Sequence, residues 1–155
     1  MINKKDMIIM SMLRQDARMS LTAMSKKSNM PISTIYDKLK LHQGSTITRH
    51  TALIDFAKLG FSARANVTLK VDRTDREELV KYLFKVPNVN SVYKISSGYD
   101  FMLDVVFKDI REMEDFFETV ESKFKVKDKQ VYFVIDDLRR EAFLSEPEML
   151  NMVCH

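Results

Sequence analysis

Phe61-Ser62-Ala63-Arg64-Ala65-Asn66-Val67-Thr68-Leu69-Lys70-Val71 is the stretch on which the fold turns. Phe61, Ala63, Ala65, Val67, Leu69 and Val71 alternate with Ser62, Arg64, Asn66, Thr68 and Lys70. Unbroken period two over this length predicts a strand with one buried face. Beyond it, Asp72–Asp75 is expected to cap a helix running to about Phe84, with Leu79, Val80, Leu83 and Phe84 apolar. Val86-Pro87-Asn88 breaks that helix. Val89–Ser96 reads as a second strand, and Ser97-Gly98-Tyr99-Asp100 turns the chain into a third, Phe101–Lys108. Ile110, Met113, Phe117, Val120 and Phe124 then recur at three- and four-residue steps, the mark of a long amphipathic helix. Lys129–Ile135 is a fourth strand.

Strand, helix, strand, strand, helix, strand is the order of the ferredoxin-like βαββαβ sandwich, here predicted over residues 61–136. Right-handed crossovers place both helices on one face of an antiparallel sheet. The other face would show Arg64, Asn66 and Thr68 beside Met102, Val106, Tyr132 and Val134. That mixture is too apolar to be left wet, so two sheets are expected to pack together in a homodimer.

Upstream, three short helical patterns must share a core, because none is long enough to stand alone. Asp6 is expected to cap the first, which runs to about Gln15 over Ile9, Met10 and Leu13. Ser20 caps the second, through Lys27, with Leu21 and Met24 inward and Asn29 as its left-handed close. Met30-Pro31-Ile32 turns the chain, and Ser33 caps the third, Thr34 to about His42, over Ile35 and Leu39. Ser45–His50 and Thr51–Ile54 read as two brief strands forming a β-wing. The class is therefore α+β: a winged helix-turn-helix over 1–55, a linker at 56–60, the sandwich, and a tail at 137–155.

In a helix-turn-helix the start of the second helix of the motif meets base edges in the major groove. Ser33, Thr34, Tyr36, Lys38 and Lys40 avoid the Ile35/Leu39 stripe and form the expected reading face. Lys26, Lys27 and Arg49 are placed to hold the flanking phosphates. Asp37 counts against phosphate contact; it either faces away or accepts from a cytosine amino group. The charge distribution agrees. Residues 1–60 hold ten Lys+Arg against four Asp+Glu, and residues 61–155 hold fifteen against eighteen, within a formal net charge of +3. A basic front half on an acidic back half suggests two units with different partners, the first being double-stranded DNA.

The 155 residues are 45% hydrophobic and 30% charged, which excludes a disordered or low-complexity chain. The longest apolar run, Val131–Ile135, is far short of a membrane span, and Met7–Met10 is too short for a signal-peptide core. Cys154 is the single cysteine, so no internal disulfide can form, in keeping with a reducing cytoplasm. Cys154 and His155 together fall short of the three or four ligands a zinc site requires. No phosphate-binding glycine loop, nucleophile elbow or HExxH motif occurs. No catalytic residue, metal or cofactor is therefore expected. The eleven Met residues, seven of them within the first thirty, read as flexible core filler.

With these residues in place, the chain resembles the Lrp/AsnC, or feast-or-famine, transcription regulators, and its overall look is archaeal. Asp6-Met7-Ile8-Ile9-Met10, with Leu13-Arg14-Gln15-Asp16-Ala17-Arg18, is similar to the family's first helix. Ser33-Thr34-Ile35 resembles the start of its recognition helix. Thr51-Ala52-Leu53-Ile54-Asp55, with Lys58-Leu59-Gly60, resembles its connector, and Gly98-Tyr99-Asp100 its effector-domain turn. Together these cover residues 2 to about 136. The resemblance implies a regulator that binds partly symmetric DNA as a dimer, often assembled further into tetramers or octamers. It also implies an amino-acid effector bound near Gly98, Tyr99 and Asp100. From the residues themselves, two readings of that turn stand side by side. Gly98 could expose backbone N–H groups to a carboxylate while Asp100 holds an ammonium group; or Asp100 simply caps its own backbone in a tight hairpin.

Three departures from the family pattern stand out: Asp37 where an Arg is common, His42 where a Leu is usual after a shortened stretch before the wing, and a tail past the usual end. That tail is expected to fold over the sheet edge or to mediate assembly. Two rival functions share the scaffold. A sirohaem decarboxylase would need histidines near its tetrapyrrole, and His42, His50 and His155 all lie outside the predicted effector sheet. An interaction module whose basic half binds no DNA would show a flat response of duplex affinity to salt.

Overall fold

The computed structural model describes residues 1–154, which divide into two compact units. The first comprises Met1–Leu53 together with the tail from Leu138 onward; the second is Ile54–Asp137.

In the first unit, α1 (Lys4–Gln15), α2 (Leu21–Ser28) and α3 (Ile32–His42) enclose Ile9, Met12, Met24, Met30 and Ile35. Three of these five are methionines, whose unbranched side chains fill the irregular space between short helices. The caps differ in part from expectation. Asn3, not Asp6, caps α1: its side chain accepts from the Asp6 N–H, while Asp6 reaches back to the Asn3 N–H in a reciprocal box. Ser20 does cap α2, accepting from Ala23, and Asn29 does close it in the left-handed conformation. α3 begins at Ile32 behind Pro31 with no side-chain cap, so Ser33 lies inside the helix.

The two strands expected at 45–50 and 51–54 do not form. Gly44 at φ +77° folds the chain back so that Ser45 and Ile47 both donate to the His42 carbonyl, leaving one isolated bridge, Gln43 to Ile47. Two brief strands with no third to pair with are marginal, and the turn takes their backbone groups first. The tail leaves β-structure and joins the first unit. Arg14 of α1 donates to the Phe143 and Glu141 carbonyls and pairs with the Glu141 carboxylate. Leu150, in the short helix α6 (Leu150–Val153), is buried. The tail is thus part of the first unit.

The second unit carries β1 (Ala63–Val71), α4 (Arg76–Leu83), β2 (Val89–Lys94), β3 (Phe101–Phe107), α5 (Ile110–Lys123) and β4 (Val126–Phe133). The sheet is antiparallel throughout, in the order β2-β3-β1-β4. Ala63, Ala65, Val67, Leu69 and Val71 are buried, as the alternation predicted. They meet Leu79 and Leu83 of α4 and Met113, Phe116, Phe117 and Val120 of α5. Ile110, assigned to the same stripe, is 58% exposed at the first turn of α5, and Phe116 takes the place beside Phe117 instead. β4 starts at Val126, three residues before the predicted start, after a register shift at Lys70/Val71. On the open face the register sets Arg64, Asn66 and Thr68 opposite Val106, Asp104 and Met102. Among the described residues no helix is long and apolar enough to cross a membrane.

Candidate nucleic-acid interface

The reading face is built on α3, whose inner stripe is Ile35, Lys38, Leu39 and His42 at helical spacing. Ile35 and His42 are buried; Lys38 and Leu39 are half-buried. The outer surface carries Ile32, Ser33, Tyr36, Asp37 and Lys40, all exposed, with Thr34 half-buried at its margin. Lys26 and Lys27 are exposed in the last turn of α2, and Arg49 is exposed in the unpaired segment after the Gly44 turn. Among the described residues none of Lys26, Lys27, Lys40 and Arg49 is held in an ion pair, which leaves their charges available to phosphate.

Lys38 departs from expectation. It points inward, and its Nζ lies 2.7 Å from Oδ1 of Asp6, whose side chain is only 3% exposed. The cause is its position: three residues after Ile35 and four before His42, it belongs to the inner stripe. Asp6 occupies the matching place on α1, three residues before Ile9. His42 Nε2 comes within 3.2 Å of the same Asp6 oxygen, at an angle too poor for a hydrogen bond, while its Nδ1 lies 3.2 Å from the Thr46 hydroxyl. Burial works to raise the Asp6 carboxyl; the Lys38 hydrogen bond, the Asn3 N–H and the His42 ring outweigh it and bring it from 3.8 down to about 2. This buried carboxylate ties α1 to α3 and fixes the angle at which the reading face is presented.

In the second unit, Ser97 at φ +68° and Gly98 at φ +96° make the turn between β2 and β3. Among the described residues the Gly98 and Tyr99 N–H groups meet no acceptor. Asp100 is already engaged. Its Oδ1 lies 2.8 Å from Arg76, its Oδ2 accepts from the Val71 N–H at 2.9 Å, and its own N–H donates to the Leu69 carbonyl. Its side chain does not cap its own turn; it fastens the turn to the end of β1 and to α4. The Tyr99 hydroxyl donates to Asp128 at 2.7 Å, which raises it above its ordinary value.

On the open sheet face, Arg64 lies 3.0 Å from Asp104 and 2.9 Å from Asp137. Asn90 donates to the same Asp104 carboxylate. The Asp104 hydrogen bonds raise the Arg64 guanidinium, against the opposing pull of burial. Asp104 was not singled out from the sequence, although it falls between Met102 and Val106 on the face that β1 exposes. Tyr93 and Tyr132 remain about half exposed there.

His42 is a core residue of the first unit, and His50 and Cys154 are exposed; His155, the other half of the Cys154-His155 pair, lies outside the described residues. Among the described residues no cluster of His, Cys, Asp and Glu is arranged to hold a metal ion.

Comparison with known proteins places these units. Residues 64–142 match the family model of the Lrp/AsnC ligand binding domain. HTH-type transcriptional regulator FL11 of Pyrococcus horikoshii is 29% identical over 122 residues, 78% of this chain and 81% of that protein. An HTH-type transcriptional regulator of Pyrococcus furiosus is 26% identical over 147 residues, spanning 94% of this chain and 99% of the relative. Among solved structures, LrpC of B. subtilis superposes with a TM-score of 0.80 at 21% identity, covering 90% of this chain and 98% of that one. A transcriptional regulator of Neisseria meningitidis in complex with L-Met superposes with a TM-score of 0.83 at 22% identity, covering 90% and 94%. At these identities the structural likeness speaks for the fold. The sequence relatives named here are transcriptional regulators, not enzymes.

Proposed function

Because the chain belongs to the Lrp/AsnC family of DNA-binding transcriptional regulators with a ligand-binding C-terminal domain, we propose that it works in the cytoplasm as a homodimer that reads a partly symmetric duplex with two copies of α3. Ser33, Thr34 and Tyr36 meet base edges. Lys26, Lys27, Lys40 and Arg49 neutralise phosphates around them. Lys38 acts through Asp6, by setting the presentation of the helix. The observation that carries this reading is the exposed face of α3 with unpaired cations on either side of it. The open sheet face, with Tyr93, Met102 and Tyr132 around the Arg64–Asp104 pair, favours a second copy as its cover.

The C-terminal unit takes a small effector, for which an amino acid is the best fit. The Gly98 and Tyr99 N–H groups suit its carboxylate, and Asp100 positions the turn that offers them. The Neisseria meningitidis relative in complex with L-Met supports the same ligand class. Pairing of dimers into tetramers or octamers would bring two such turns together.

Selection of bound duplexes from a random pool, with and without a mixture of the twenty amino acids, tests the reading. The expected outcome is enrichment of two half-sites about one helical turn apart, with affinity falling by orders of magnitude between about 50 and 200 mM salt. No enrichment, together with a flat salt response, would overturn it in favour of a protein-binding module. Enrichment that ignores every amino acid would remove the effector while leaving the DNA reading in place.

A further inference from the structure

We propose that α3 recognises thymine by its 5-methyl group, with Ile32 as a specificity-determining residue and Tyr36 alongside it. This rests on the reading above, that α3 enters the major groove.

Ile32 is 45% exposed and Tyr36 54% exposed, and they stand one helical turn apart on the outer surface. Neither belongs to the core of the first unit, which is closed by Ile9, Met12, Met24, Met30 and Ile35. Local propensity does not call for Ile32 either. A β-branched residue is a poor choice for the opening turn of a helix, where Ser, Thr, Asp or Glu would satisfy or complement the free N–H groups. The residue thus sits, half in water, at the position from which a second helix of this motif reaches the bases.

The charge of the same face points the same way. With Lys38 turned inward to Asp6, the exposed charges of α3 before its last two residues are Asp37 and Lys40, which cancel. A face that is neutral in sum and apolar at its leading end is a weak match for phosphate and a good one for an apolar group. The only apolar group that a base pair shows in the major groove is the C5-methyl of thymine. Tyr36 adds a second apolar surface and one hydroxyl that can donate to thymine O4 or adenine N7. Phosphate contact falls to Lys26, Lys27 and Arg49, outside α3, and to Lys40 near its far end, away from Ile32.

The test uses the full chain and a duplex taken from the selection. Each thymine of one half-site is replaced in turn by deoxyuridine, which deletes the methyl group and keeps base pairing and O4. For the unaltered protein, one or two of these replacements are expected to weaken binding about four- to tenfold. Ile32→Ala, a surface change that keeps a good helix former, should bind the thymine duplex more weakly by a similar factor and lose its sensitivity to deoxyuridine at one of those positions. Equal binding of thymine and deoxyuridine duplexes by the unaltered protein would overturn the inference while the DNA reading survives. Undiminished deoxyuridine sensitivity in Ile32→Ala would also overturn it, by assigning the methyl group to another residue. Failure to bind any duplex would instead sink the reading on which it rests.

Discussion

Replacing Lys38 by Met should cost the DNA-binding unit stability before it costs DNA affinity. The aliphatic stem can still pack, but the ammonium 2.7 Å from Asp6 Oδ1 is gone. The Asp6 carboxylate then keeps the Asn3 N–H at 2.8 Å and the poorly aligned His42 ring, with no Lys or Arg partner among the described residues. Its displacement from 3.8 to about 2 corresponds to at most about 2.4 kcal/mol of stability. Lys38 retains 19% exposure, so water screens the pair, and about 1–2 kcal/mol is the expected loss. For a unit of this size that is a fall in Tm of roughly 5–15 °C. The sign with pH is fixed. Asp6 is lowered in the folded state, so its contribution is fully present above pH 3.8 and is lost as pH falls from there through about 2. Thermal unfolding by circular dichroism at pH 7 and at steps down to pH 2 should therefore show the gap between parent and Lys38→Met narrowing with acid. Asp6→Asn combined with Lys38→Met should lose less than the two single changes summed. An unchanged Tm at pH 7, coupled with weaker duplex binding, would refute the inward placement of Lys38 and return it to the reading face.

Other outcomes follow from burial and geometry. Arg64→Met leaves the Asp104 carboxylate on the open sheet face with Asn90 as its remaining side-chain donor; urea unfolding should show the second unit weakened by about 1.5–3 kcal/mol. Phe117→Ala, at 1% exposure in the core beside Phe116, should cost about 3–5 kcal/mol, whereas Ile110→Ala on the same helix, at 58% exposure, should stay within about 0.5 kcal/mol. Gly98→Ala meets no atom within 4 Å but holds φ at +96°, so it should cost about 1–3 kcal/mol in backbone strain alone, and Gly98→Asn less. Arg14→Ala should release the tail from α1, read as faster proteolytic cleavage after Leu138 with the second unit left intact.

The sandwich was legible because its signals are local. The alternation in Phe61–Val71 and the three- and four-residue steps from Met113 to Val120 each mark one buried face, and the strand order follows from their sequence. The helix-turn-helix was legible for the same reason, down to the Ser20 cap and the left-handed Asn29. What escaped depends on partners far along the chain. Lys38 reads as a solvated cation until Asp6, on another helix, is seen to face it. The anchoring role of Asp100 stays hidden until Arg76 and the Val71 amide are found on its oxygens. The wing failed because brief alternation at 45–54 carries no information on whether a pairing partner exists. Ile32 was passed over because Met30-Pro31-Ile32 reads as a turn, whereas α3 begins at Ile32 and leaves it exposed.

The anchoring of Glu141, Phe143 and Leu150 on the first unit has a bearing on biosynthesis. The segment that steadies α1 leaves the ribosome only after the sandwich has been made. During translation the three-helix bundle waits, unbraced, while the whole sandwich is made and folded. A chain cut short by premature termination, or nicked after the last strand, would retain a sound effector unit attached to an unsteady reader.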